Sequence, residues 1–133
     1  MLKTMLLFAM VGLGCSSGFA QESAQYRACT DSANTQDVLT RCASEEARRV
    51  DAELNSVYRK LLAALSGNRK AAAKVKTVQR AWIAYRNAYM DAMYPEKDKQ
   101  SYGSIFPMEF NLLFAKLTRD QIAALRALAD NLL

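Results

Sequence analysis

The chain has 133 residues, 18 basic against 13 acidic, no histidine and three cysteines. One domain with one core fits this length. The missing imidazole removes Ser-His and Cys-His nucleophile systems, and with two cysteines left after the N-terminal segment it leaves no zinc-type ligand set.

The N-terminal stretch MLKTMLLFAMVGLG carries one charge, Lys3, and then an apolar run, followed by small residues up to Gly18, Phe19 and Ala20. This is the layout of a secretory signal peptide, too short in its greasy part to span a bilayer. Residues 1–20 are expected to be removed after Ala20, leaving a single domain over 21–133 that is periplasmic or secreted. An alternative start is Cys15 behind Gly14, where a lipid anchor would be attached. Only Lys3 is lost on cleavage, so the mature balance is 17 basic against 13 acidic residues, or +4. RRVDAELNSVYRK mixes both signs, unlike the clustered basic stripe of a nucleic-acid binder. In an oxidising compartment Cys29 and Cys42 are expected to form a disulfide.

Ala43, Ala47, Val50, Leu54, Val57, Leu61 and Ala64 recur at alternating intervals of four and three, the buried stripe of an amphipathic helix. Gly67 and Asn68 break it as a C-cap and turn would. A second stripe runs Ala71, Val75, Val78, Trp82, Tyr85, Tyr89, Ala92. The short SGN connection predicts an antiparallel hairpin with Trp82 and Tyr85 facing the first helix. Gln79 and Arg86 flank that stripe, as Asp51 and Asn55 flank the first, and Arg86 is expected to pair with Asp51 or Asn55. Arg80 is expected in solvent.

Past Ala92, MYPEKDKQSYGS reads as a surface loop of about ten residues. IFPMEFNLLFAKL returns to helical spacing, with Pro107 in a first turn. TRDQ matches a capping box, Thr118 with Gln121, that would launch a last helix. The fold class is therefore all-α: an antiparallel helical hairpin, two shorter C-terminal helices and one disulfide. Glu45 and Glu46 are adjacent, diverge on a helix by about 100°, and do not converge as a catalytic pair.

The assembled segments resemble the LprI-type lysozyme-inhibitor family, in particular its secreted N-terminal-type domain. The shared features are Cys29 and Cys42, DAELNSVYRKLL at 51–62, QRAWIAYRNA at 79–88, GSI at 103–105 and LTRDQIAALRAL at 117–128. The resemblance covers nearly the whole mature chain. It implies a small exported helical protein, not an enzyme, with no cofactor and an exported protein partner such as a muramidase. Two departures stand out: Asn87 replaces an acid, and Met90 and Leu113 replace two cysteines that the family pairs. Met90 and Leu113 are thus expected to touch.

An inhibitor of this kind needs a loop that carries polar groups into a carboxylate-lined cleft. EKDKQSYGS, at 96–104, is the candidate, with Lys97, Lys99, Tyr102, Gly103 and Ser104 as partner-binding residues. The positive balance suits an acidic or neutral target enzyme better than a basic one. The alternative is an envelope adaptor that binds another exported protein without inhibiting it.

Overall fold

The computed structural model describes residues 22–133. The signal segment, the cleavage point and Cys15 lie outside them. The described residues form four α-helices and no strand: α1 (Ala24–Asp31), α2 (Gln36–Ala64), α3 (Arg69–Met93) and α4 (Phe106–Leu132), with a short 3-10 helix at Lys99–Tyr102 before α4. None of these helices is long and apolar enough to cross a membrane.

Each helix start follows local chemistry. Ser23 caps α1 by accepting from the Tyr26 amide, and Thr35 caps α2 by accepting from the Val38 amide. Asn68 caps α3, its Oδ1 3.0 Å from the Ala71 amide. Asn68 thus opens a helix, and Gly67 lies in the turn without a positive φ. Pro107 sits in the first turn of α4, as its fixed φ and missing N–H favour.

The predicted α2 stripe is buried at Ala43, Ala47, Val50, Leu54 and Leu61, and Leu65 replaces the exposed Ala64. These side chains meet Val75 of α3 and Ala115, Ile122 and Leu125 of α4 in one core cluster. The closest backbone pairing is α2 with α4; α1 packs on α2, and α3 packs on α4. The two helices of the expected hairpin are joined by a short turn, but both find their main backbone partner in α4. A second, smaller cluster joins Tyr26, Cys42 and Ala43 beneath α1. The Cys29–Cys42 disulfide fastens α1 there, with Cα atoms 5.8 Å apart.

Two expectations change. The C-terminal region is one helix of 27 residues, about 40 Å long at 1.5 Å per residue, and not two shorter ones. Thr118 is fully buried inside it and donates to the Phe114 carbonyl at 2.8 Å, an ordinary mid-helix bond and not a cap. Between Pro107 and the C-terminus no residue breaks the helix, and Phe114, Leu117, Ile122 and Leu125 keep one phase against the core. The face of α3 is also turned from the predicted one. Val75, Gln79 and Met90 are buried and Trp82 and Arg86 half-buried, whereas Tyr85 is 55% exposed and Val78 and Tyr89 also reach solvent. The rotation follows from Gln79, whose Oε1 accepts from Gln121 Nε2 at 3.0 Å inside the α3–α4 contact. Met90 is buried on α3 and Leu113 half-buried on α4.

Candidate functional site

The segment between α3 and α4 is a built loop. Tyr94, Tyr102, Phe106 and Phe110 form a continuous aromatic cluster, with Tyr94 5.0 Å from Phe106 and 5.4 Å from Tyr102, both edge to face. Phe106 in turn meets Phe110 at 5.6 Å. Edge-to-face pairs place the positive ring rim on the negative ring face, worth about 0.5–1.5 kcal/mol each beyond area burial. Burial, then the nearby Glu109 and Tyr102, push the Tyr94 hydroxyl above its ordinary pKa.

Polar bonds complete the loop. The Glu96 amide donates to the Tyr102 hydroxyl at 2.8 Å, and Lys99 Nζ donates to the Tyr94 carbonyl at 2.5 Å. Asp98 caps the 3-10 turn by accepting from the Gln100 amide at 3.0 Å. Of the five loop residues picked from sequence, Lys99 and Tyr102 therefore build the loop. Lys97 and Ser104 are exposed on it.

Gly103 has φ 80° and ψ −175°, a backbone region essentially closed to residues with a Cβ. A Cβ there would meet nothing within 4 Å, so the constraint is backbone strain and not crowding. Gly103→Ala is expected to cost on the order of 1–3 kcal/mol and to loosen the loop. Limited trypsin digestion reads this: cleavage after Lys97 or Lys99 should accelerate in the variant while helicity is retained.

Beside the loop runs an open groove of about 590 Å³ between α2 and α4. Arg48, Asp51, Asn55 and Arg59 line its α2 side, and Phe110, Asn111 and Phe114 its α4 side. Asp51 and Asn55 bond to each other along α2, the Asn55 amide donating to the Asp51 carbonyl at 3.0 Å and to its carboxylate at 3.2 Å. Arg86 does not pair with either. Its guanidinium donates to Asn87 Oδ1 at 3.0 and 3.2 Å and lies 5.0 Å from the Trp82 ring centre and 4.7 Å from that of Phe114. A guanidinium is planar and weakly hydrated, so stacking between two rings suits it better than reaching across the groove. Gln79 belongs to the interior with Gln121 and not to an exposed flank.

One polar centre escaped the sequence reading. Glu46 is 0% exposed. Its carboxylate accepts from the Ser23 amide at 3.0 Å, from the Ser23 hydroxyl, from Arg49 at 2.8 Å and from Arg119 of α4. Burial pushes the carboxyl upward, but the Ser23 bonds and the two guanidiniums outweigh it and hold the group below the ordinary carboxylate range. This cluster ties the start of α1 to α2 and α4. Nothing in the sequence marks Glu46 over Glu45, because Arg119 lies 73 positions away.

An uncharacterized protein of Rhizobium meliloti (strain 1021) is 34% identical over 104 residues, covering 70% of this chain and 73% of that one. No solved structure matches. Residues 28–125, running from beside Cys29 to Leu125 of α4, match the family described as lysozyme inhibitor LprI. With the disulfide, both helical motifs and the Gly103 loop inside that span, the chain belongs to the LprI lysozyme-inhibitor family.

Proposed function

We propose that the protein is exported, cleaved after Ala20, and blocks a peptidoglycan-cleaving enzyme by placing the 96–104 loop in its cleft. The reading rests on family membership and on one observation: the loop is locked in shape by Gly103 and the aromatic cluster, with Lys97 and Ser104 on its outside. A loop already ordered loses little entropy on docking. Glycoside-cleaving sites are lined by a carboxylate pair, which an ammonium and a hydroxyl complement. The +4 mature balance favours an acidic or neutral muramidase over a basic one.

The test is a cell-wall lysis assay with purified protein against acidic, neutral and basic muramidases at physiological salt. Lys97→Ala with Ser104→Ala is expected to weaken inhibition by at least about tenfold with an unchanged melting temperature. If no muramidase is slowed by the wild-type protein, the reading fails. A second reading, an envelope adaptor without inhibitory activity, draws on the exposed stripe Val78, Tyr85 and Tyr89 of α3. It predicts that a stable complex with another exported protein survives the loop substitutions and is lost with Tyr85→Ala.

A further inference from the structure

The groove between α2 and α4 has a chemical character of its own, separate from the loop. Arg48 and Arg59 line it eleven residues apart on α2, about 16 Å along the axis and on the same side of the helix. Both are exposed, and neither has an ion pair or side-chain hydrogen bond among the described residues. Between them lie Asp51 and Asn55. Opposite stand Asn111, whose amide is committed to the Pro107 carbonyl at 2.7 Å, and two phenylalanine rings, Phe110 being 36% exposed. The arrangement is cationic donors at both ends, acceptors in the middle and aromatic surface along one wall.

We propose that this groove binds a short carboxylate-bearing oligosaccharide. Sugar rings present flat, weakly polarised C–H faces, which suit the negative face of an aromatic ring. Their hydroxyls need acceptors, which the Asp51 carboxylate and the side-chain oxygens of Asn55 and Asn111 supply, and donors, which Arg48 and Arg59 supply. The carboxylates take the two guanidiniums, each able to bond them bidentately. An acidic peptide fits less well. Both walls are helices whose backbone groups are bonded internally, so an extended peptide backbone finds no edge to pair with. A purely apolar ligand would leave the arginines and the Asp51 carboxylate desolvated without partners. The volume lies within the range of small-ligand sites, about 300–1,000 Å³.

Trp82 is the chain's only tryptophan and stands in the same stack as Phe114, which makes its emission the reporter. The mature protein is titrated with four probes: a tetrasaccharide of alternating N-acetylglucosamine and N-acetylmuramic acid, tetragalacturonate, neutral chitotetraose and hexaglutamate. Calorimetry on the same samples checks the binding. At least one acidic sugar is expected to bind about tenfold or more tighter than chitotetraose. Whether the muramyl or the uronate probe is preferred identifies the source of the glycan. Arg48→Gln with Arg59→Gln should reduce acidic-sugar affinity to the chitotetraose level, and Phe110→Leu should weaken sugar binding without unfolding the aromatic cluster. The inference is overturned if neither acidic sugar binds at millimolar concentration or if chitotetraose binds equally well. Hexaglutamate binding as tightly, with no effect of Phe110→Leu, also overturns it, since a charge-reading protein site would behave so. None of these outcomes bears on muramidase inhibition, which is measured separately.

Discussion

Replacing Glu46 by alanine is expected to lower folding stability by about 3–5 kcal/mol, the range found when one partner of a buried ion pair is removed. The carboxylate is fully enclosed, and it answers the Ser23 amide and hydroxyl, Arg49 and Arg119 together. Without it the Arg119 guanidinium, 18% exposed, keeps its charge with its carboxylate partner gone, and the first turn of α1 loses its anchor. Thermal and urea unfolding of Glu46→Ala against the wild type measure the effect, with a drop in melting temperature of roughly 10 °C or more. A loss below about 1 kcal/mol would show that the cluster is solvated and peripheral.

The pH dependence follows from the direction of the shift. Glu46 sits below its ordinary value of 4.5 in the folded chain, so the unfolded chain binds the proton more tightly. Its contribution is therefore complete above that ordinary value and disappears as pH falls through the lower folded value. The stability gap between wild type and Glu46→Gln should be widest near neutral pH and narrow steadily below about 4.5. A gap that stays constant into acid would assign the effect to shape and not to charge.

Cys29→Ser is expected to cost about 3 kcal/mol, the chain-entropy value for a loop closed across 13 positions. Denaturant unfolding of this variant, and of reduced wild-type protein, should give the same midpoint. The bond and the Glu46 cluster both hold α1, through its last turn and its start respectively. Once α1 has detached in one variant, the second loss has less left to remove. The double variant Cys29→Ser, Glu46→Ala should fall short of the summed losses by about 1 kcal/mol or more. Strict additivity would mean that α1 stays docked with either fastening alone.

How much of this was written locally in the chain varies element by element. The α2 stripe was legible, because Ala43 to Leu61 bury apolar side chains at strict helical intervals and need no knowledge of the partner. The disulfide followed from the two cysteines left after the expected signal segment. The face of α3 was legible only in part: Ala71, Val75 and Trp82 of the predicted stripe meet the core, while Val78, Tyr85 and Tyr89 do not. Its buried face holds Gln79 beside Val75 and Met90, with Arg86 half-buried, and the place of these polar residues depends on Gln121 and on the rings of Trp82 and Phe114. Thr118 and Gln121 satisfied a four-residue capping pattern, yet the continuous apolar phase of α4 outweighed it. α1 leaves no mark in the sequence: eight residues are too few for a periodic signal, and tertiary fastenings hold the helix. In the candidate site, the loop position was visible from MYPEKDKQSYGS, with its proline, its charges and Gly103. The internal duties of Lys99 and Tyr102 were not, since they arise from carbonyls and amides that only the folded turn brings near.

The place of α4 after α2 and α3 sets the order in which the core can close. A polypeptide released N-terminus first, from a ribosome or through a membrane pore, would have α2 and α3 complete while Ala115, Ile122 and Leu125 were still held back. Until α4 arrives, α1 and α2 can already meet, but α2 and α3 both lack the helix they pack on most closely, and the main core stays open. Closing that core then awaits contacts between segments far apart in sequence, the kind that form slowly.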